Sequence, residues 1–181
     1  MTESQRRTRF DTLYAHYHLP IYNYIVRLVG DRDVADDLLQ DTFVKVYRAL
    51  DHGPDGEGER PWVYRIATNT CYDLLRRRRL VAWLPWTARD DARHAGGAAG
   101  SDLGDRYALS EGVQDALTAL PLSLRAPLLL HVVHGLSYSA IAETLAISEG
   151  AVKMRVSRAR SRFKECYRDE TPSVPLETMH S

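Results

Sequence analysis

The segment over residues 61–79 places aromatic, amide and cationic side chains at helical spacing. At about 100° per residue, five of them cluster on one side of a helix: Trp62, Arg65, Asn69, Tyr72 and Arg76. Rings can stack on bases, an amide can read a base edge, and arginines can neutralise phosphates. The pattern therefore indicates a site for single-stranded nucleic acid. The alternative is that Trp62 and Tyr72 pack against a neighbouring helix and that the arginines at 76–79 are a solvated helix end.

A second constellation covers residues 137–163. Its apolar residues follow the pattern of two short helices that cross at a sharp turn, and Ser148 is placed to cap the second one. The polar face of that second helix and its flanks carry cations and one hydroxyl: Lys153, Arg155, Ser157, Arg158, Arg160 and Lys164. These features predict a helix-turn-helix whose second helix enters the major groove, where arginine can bind guanine and other cations can hold phosphates. The alternative is a basic amphipathic helix on a bundle surface.

A third feature is acidic: residues 31–41 (DRDVADDLLQD) contain five Asp against one Arg. Asp33 is a plausible N-cap for a helix that begins there, with Asp36 completing a pattern that resembles a capping box. Carboxylates near a helix N-terminus are stabilised by its dipole, so the cluster has a structural explanation. The functional alternative is a protein partner with a basic surface, and the residues alone favour neither.

Residue types suited to catalysis or metal binding are scarce. His131 and His134 lie three apart, but no nearby Cys, Asp or Glu completes a ligand set. Cys71 and Cys166 are best explained as structural thiols. There is no Gly-rich phosphate loop, nucleophile elbow or pair of catalytic carboxylates. The sequence therefore predicts a protein that is not an enzyme, with no metal site and no cofactor.

Helices must position all of these side chains, because no segment shows sustained strand-like alternation. The first helix is expected to end at Gly30 and to be kinked or split at Pro20. Pro61 suits the first turn of a helix that runs to about Arg79. Further helices are predicted near 107–119, 122–134, 137–146 and 149–168. The predicted fold class is all-α, with two small helical domains joined by a flexible linker.

Composition sets the domain boundaries and the compartment. An Ala- and Gly-rich stretch predicts a linker over 82–106, between an N-terminal domain over 1–81 and a C-terminal domain over 107–168, with a flexible tail over 169–181. The chain has 181 residues, with 24 Lys and Arg balanced by 24 Asp and Glu, so its partners depend on local charge patches. No signal peptide or membrane span is evident, which predicts a soluble, cytoplasmic protein.

Three strings in this order resemble the extracytoplasmic-function (ECF) group of the sigma-70 family of bacterial transcription initiation factors: GDRDVADDLLQDTFVKVYRAL, RPWVYRIATNTCYDLLRRRR and ALTALPLSLRAPLLLHVVHGLSYSAIAETLAISEGAVKMRVSRARSRF. The resemblance covers roughly residues 10–80 and 107–167. It implies a sigma factor that binds core RNA polymerase, directs it to specific promoters and helps to melt the −10 region. It also implies that promoter DNA is bound both as duplex and as single strand.

The resemblance assigns roles to particular residues. The acidic segment would dock on the β′ clamp helices of polymerase through residues Asp36, Asp37, Leu38, Gln40, Asp41 and Phe43. Of these, Asp37, Gln40 and Asp41 would make the polar contacts, whereas Leu38 and Phe43 are expected to pack. The −10 strand would contact Trp62, Arg65, Asn69, Tyr72, Arg76 and Arg77, and the loop over 51–60 would set base preference. The −35 duplex would contact Ser148, Lys153, Arg155, Ser157, Arg158 and Arg160. Further partners implied are the polymerase β subunit and an anti-sigma factor.

Two departures from the family pattern concern the helix-turn-helix. Ala146 stands where glycine is usual before the isoleucine of the turn, and Met154 replaces a small polar residue. The −35 sequence therefore cannot be transferred from the family. Two other functions remain alternatives: a free-standing helix-turn-helix regulator that binds a palindromic operator as a dimer, and an enzyme, such as a nuclease, with a grafted DNA-binding domain.

Overall fold

The computed structural model describes residues 1–82 and 111–170. These residues form seven α-helices, two single 3-10 turns at Leu50–His52 and Gly56–Gly58, and no strand. The helices are α1 (Glu3–Val29), α2 (Arg32–Ala49), α3 (Glu59–Ala82), α4 (Glu111–Thr118), α5 (Leu122–Val132), α6 (Tyr138–Leu145) and α7 (Glu149–Glu170). The all-α prediction is confirmed. The predicted linker and tail fall almost wholly outside the described residues, and no described helix is long and apolar enough to cross a membrane.

The first helix is continuous. Thr2 caps its N-terminus in a capping box with Gln5, and Gly30 ends it in the left-handed conformation at φ 80°, as predicted. Pro20 lies inside α1 and does not split it. Proline removes one backbone hydrogen bond, but the buried residues on either side, Tyr17 and Ile21 among them, hold both halves of the helix against the same core.

The second helix begins two residues earlier than predicted. Asp31, and not Asp33, is its N-cap, with extended backbone and a carboxylate that accepts from the Val34 amide at 3.1 Å. Asp33 lies in the first turn and is exposed. Both aspartates fit the sequence pattern of a cap, but only Asp31 has the extended backbone of an N-cap, and Asp33 is already helical.

In the C-terminal domain the two helices of the predicted helix-turn-helix are α6 and α7. Ser137 caps α6, and Ser148 caps α7 by accepting from the Ala151 amide at 3.2 Å, as predicted. Between them Ala146 adopts φ 53°, the one non-glycine residue with positive φ among those described. A left-handed alanine costs about 1–2 kcal/mol, and the Ala146 amide offsets this cost by donating to the carbonyls of Ala142 and Glu143 at the end of α6.

The two domains pack against each other. Helix α3 contacts α6, and α1 contacts both α4 and α5. Arg125 of α5 donates to the Leu28 carbonyl at 2.6 Å and to the Leu120 carbonyl at 2.8 Å. The Tyr64 hydroxyl is 2.8 Å from Nδ1 of His134, and Arg60 donates to the His134 carbonyl. The structure is thus a closed arrangement of the two domains.

Candidate nucleic-acid and protein-binding surfaces

The acidic surface lies on the outer face of α2. Asp36, Asp37, Gln40 and Asp41 are exposed. The pKa of Asp36 is raised, first by partial burial and then by the charges of Asp33 and Asp37. The carboxylates of Asp33, Asp36 and Asp37 therefore repel one another, and a basic partner would relieve this repulsion.

The apolar residues of the same segment belong to the core. Leu38 is 4% exposed and Phe43 is 3% exposed, so neither is available to a partner in this structure. The Phe43 ring packs edge-on against Tyr14, with the ring centres 4.8 Å apart. The assignment of Leu38 and Phe43 to a polymerase contact is corrected: they fix α2 on α1 and so turn its carboxylates outward.

The predicted nucleic-acid stripe on α3 contains both exposed and buried residues: Trp62, Arg65, Asn69, Tyr72, Arg76 and Arg77. Arg65, Asn69, Arg76 and Arg77 are exposed, as the stripe requires, and Tyr72 is half-buried. Trp62 is only 8% exposed, which contradicts its prediction as an open stacking platform.

The preceding loop covers the Trp62 ring. A Cβ atom at Gly53 would lie 2.8 Å from two atoms of the ring, so the backbone approaches as closely as glycine allows. Helical periodicity places Trp62 on the polar side of α3 but carries no information about a loop that folds back over it. In this structure Trp62 is therefore a packing residue.

Sequence reasoning missed the residue that anchors this loop, Arg9 of α1. Its guanidinium donates to the carbonyls of Leu50, Gly53 and Pro54 at 2.8, 3.1 and 2.8 Å, and it pairs with Asp55 at 2.7 Å. Four partners on one side chain hold the loop over 51–60 against α1. No local pattern reveals Arg9, because its partners lie more than 40 residues away in sequence.

The basic stripe of α3 contains one internal carboxylate. Asp73 lies 3.6 Å from Arg76 and 4.0 Å from Lys45. The Arg76 side chain nevertheless remains 78% exposed, and an exposed pair of this kind contributes little to stability. Arg76 is therefore free to exchange Asp73 for a phosphate.

The exposed cations of α7 have no acidic partners among the described residues. Lys153, Arg158 and Arg160 are exposed, and among the described residues no cation of α7 forms an ion pair. Ser148 and Ser157 are also exposed. The helix thus presents an uncompensated positive surface, which phosphates and guanine edges can satisfy.

Two of the predicted duplex-binding residues lie at the margins of that surface. Arg155 is half-buried and close enough to Tyr72 of α3 to lower the pKa of its hydroxyl, against the larger raising effect of burial. Arg160 lines an apolar groove of about 480 Å³ with Phe163 and Leu128. Lys153, Ser157 and Arg158 therefore form the centre of the exposed face.

At the domain boundary His134 is buried, and its pKa is lowered to about 4. Burial is the main cause, and the charges of Arg27 and Arg60 add to it. The imidazole is thus neutral at pH 7, and its Nδ1 can share a proton with the Tyr64 hydroxyl. Within the described residues no group of three or more His, Cys, Asp or Glu could hold a metal ion.

Comparison with known protein families gives two matches, one in each half of the chain. Residues 13–81 match Sigma-70 region 2, and residues 110–163 match Sigma-70, region 4. The first match contains α2, the loop and α3 with its stripe. The second contains α4, α5, α6 and most of α7.

Individual relatives agree with these matches. RNA polymerase sigma-H factor of Pseudomonas aeruginosa is 35% identical, with 83% of this chain and 82% of that protein covered. ECF RNA polymerase sigma factor SigE of Mycolicibacterium smegmatis is 31% identical over 86% of this chain, which spans 60% of SigE. The fold resembles the sigma factor RpoE of Bartonella quintana, solved with the anti-sigma factor NepR, at TM-score 0.72 and 26% identity, covering 90% of this chain and 99% of RpoE. The chain belongs to the sigma-70 family of RNA polymerase sigma factors, in its extracytoplasmic-function group.

Proposed function

We propose that the chain acts in the cytoplasm, without catalysing a reaction itself, by recruiting core RNA polymerase to two-part promoters. The carboxylates of α2 dock on a basic surface of the β′ clamp helices. The exposed face of α7 binds the −35 duplex, and the exposed residues of α3 bind the melted −10 strand. The observation that carries the proposal is the opposite charge of two exposed helix faces on one chain, α2 acidic and α7 basic.

Promoter geometry requires the closed arrangement to open. Elements near −35 and −10 are about 25 base pairs apart, or ~85 Å of B-form DNA. In the closed structure α3 packs on α6 and α6 packs on α7, so the two DNA-binding helices lie within roughly 20 Å. The residues between the described domains, 83–110, can span at most roughly 90–100 Å when extended. Their length therefore suffices for both elements to be bound together.

An anti-sigma factor is a further proposed partner. The structurally similar RpoE was solved in complex with one, the anti-sigma factor NepR. A partner of that kind would compete with polymerase if it covered the acidic face of α2 or bridged the two domains. We propose this partner as a class and assign it no specific surface beyond those faces.

Run-off transcription tests the proposal directly. Purified chain and core RNA polymerase are incubated with fragmented genomic DNA, and the RNA 5′ ends are sequenced. Discrete starts that share two upstream motifs at fixed spacing are expected. If active polymerase gives no starts above the core-only background while the chain alone binds a palindromic duplex tightly, the chain is a free-standing regulator instead.

Arg158→Ala is expected to weaken binding to the −35 duplex by about 1–3 kcal/mol, or roughly 5- to 150-fold. Arg158 is exposed, so the loss reflects DNA contact and not folding. Competition between promoter and scrambled duplexes for holoenzyme measures it. Arg162→Ala removes the same charge from an exposed position on the same helix and is the control. An equal loss on both duplexes would make Arg158 a phosphate contact without sequence preference.

Asn69→Ala is expected to slow promoter opening more than it weakens the closed promoter complex. In the proposed site the exposed amide of Asn69 on α3 binds a base that has left the duplex stack, so it acts after melting begins. Permanganate reactivity of −10 thymines, measured alongside gel-shift affinity, separates the two steps. A normal permanganate footprint in this variant would remove Asn69 from the proposed site.

A further inference from the structure

The loop over 51–60 and the start of α3 form two walls of a cavity of about 250 Å³. In the closed arrangement two residues of α6 complete its lining. The lining residues from the loop and α3 are His52, Pro54, Gly58, Pro61, Trp62 and Arg65. Arg9, which anchors the loop on α1, is not one of them. It therefore holds the loop from outside the cavity.

Two neighbouring loop residues connect the anchor with the cavity. The Pro54 carbonyl accepts from Arg9 at 2.8 Å, and Pro54 also lines the cavity. The Gly53 carbonyl accepts from Arg9 at 3.1 Å, and a Cβ atom at Gly53 would lie 2.8 Å from the Trp62 ring. Because charge-assisted hydrogen bonds are the stronger kind, the Arg9 guanidinium fixes the loop backbone at the point where it meets α3.

The middle of the loop has few other restraints. Residues 54–57 are exposed, and a Cβ atom at Gly56 would meet nothing within 4 Å. Segments with few buried contacts open at a low cost in free energy. Loss of the Arg9 guanidinium leaves three carbonyls to water, so we expect the loop to move relative to α3.

The size and the polar groups of the cavity suit one nucleobase. Pockets for drug-sized ligands measure about 300–1,000 Å³, so about 250 Å³ fits a smaller group. His52 is exposed, and its imidazole can donate to or accept from a base edge. Hydrogen bonds require about 2.7–3.2 Å between heavy atoms, so a loop displaced by about 1 Å loses this contact.

We propose that Arg9 is a positioning residue for base selection in the −10 strand, because it holds the loop where His52 reaches the base. Arg9 acts through the loop and touches no DNA itself. This inference rests on the proposed function, since it concerns the same strand. The first family match begins at residue 13, so it assigns no role to Arg9.

The test compares wild-type and Arg9→Met chains, each assembled with core RNA polymerase. Fluorescence anisotropy measures binding to a labelled single-stranded oligonucleotide with the −10 motif found by run-off transcription, and to versions with one base changed. The ratio of the two affinities is the base preference. We expect Arg9→Met to lower this preference about tenfold at one position of the motif, the effect of one lost hydrogen bond. Affinity for the changed oligonucleotides should stay within about twofold, because phosphate contacts carry no sequence information.

Arg7→Met is the matched control. It removes the same charge from an exposed position two residues away on α1. The base preference of this control should equal that of the wild type. An equal fall in both variants, or an unchanged preference in Arg9→Met, would overturn the role of Arg9.

A double-mutant cycle separates positioning from a general loss of structure. His52→Ala removes the side chain that contacts the base, and Arg9→Met should then lower the preference by less than about twofold further. A second tenfold fall in the doubly substituted chain would show that Arg9 does not act through His52, and the proposal would be overturned.

Circular dichroism verifies that the variants stay helical. If Arg9→Met unfolds, Arg9→Lys replaces it, because lysine keeps the charge beside Asp55 but lacks the planar fork that bonds several carbonyls. Full base preference in the lysine variant would overturn the proposal. Wild-type holoenzyme that binds every oligonucleotide equally would instead overturn the −10 assignment, and the role of Arg9 with it.

Discussion

Asp37→Arg combined with Asp41→Arg is expected to abolish co-elution of the chain with core RNA polymerase. Both carboxylates are exposed on α2, and each substitution replaces an attraction to a basic partner by a repulsion. Two such reversals on neighbouring turns weaken binding by at least about 100-fold, since like charges at an interface cost several kcal/mol. Size-exclusion chromatography at fixed ionic strength gives the result, and titration with labelled chain gives the affinity.

This double reversal should leave the fold intact. Both residues lie beyond the first turn of α2, so they contribute little to the helix dipole interaction, and the N-cap is Asp31. Asp11→Arg with Glu165→Arg makes the same change of charge at two exposed positions on α1 and α7 and should still co-elute. If both pairs lower affinity equally, net charge and not the α2 surface governs binding.

The second large effect concerns stability. Arg125→Met is expected to lower the free energy of unfolding by about 3 kcal/mol, because it leaves buried carbonyls without donors at about 1–3 kcal/mol each. Arg125 is 8% exposed, and it donates to Leu28 and Leu120 at 2.6 and 2.8 Å and also to Thr118. Burial lowers the pKa of its guanidinium, and hydrogen bonds to carbonyls compensate the buried charge. Urea denaturation followed by circular dichroism measures the change.

The control for this stability effect is Arg162→Met, which removes an exposed guanidinium from α7 and should change stability by less than about 0.5 kcal/mol. Two of the three carbonyls belong to the C-terminal domain and one to α1. The transition of the C-terminal domain should therefore shift most. A loss equal to that of the control would show that water reaches these carbonyls without Arg125.

Helix ends and caps could be predicted from the sequence where they depend on interactions between residues that are close in sequence. Gly30 ends α1 and Ser148 caps α7, because both depend on a few neighbouring backbone groups. The left-handed turn at Ala146 shows the limit of this reasoning, since backbone hydrogen bonds to the carbonyls of Ala142 and Glu143 hold alanine in a conformation that favours glycine. The same limit explains why α1 passes through Pro20.

The sequence predicted the exposure of a candidate site residue correctly where no other segment covers the helix face. It failed where a segment distant in sequence folds over that face. Periodicity placed Asn69 correctly on an exposed face, but it also placed Trp62 there, and the loop anchored by Arg9 buries that ring. The closed interface depends on pairs such as Arg125 and Leu28, which are 97 residues apart. Contacts at that separation leave no periodic trace in the sequence.

The chemistry of the interdomain contact has a consequence for solubility. Where α3 meets α6 and the turn at His134, the contacts are made by Tyr64, His134, Arg60 and Thr144, side chains whose polar ends water can satisfy. A contact built from leucines would expose a contiguous apolar patch whenever the domains separated, and such patches promote aggregation. At this part of the contact, separation of the domains therefore returns hydroxyl, imidazole and guanidinium groups to water.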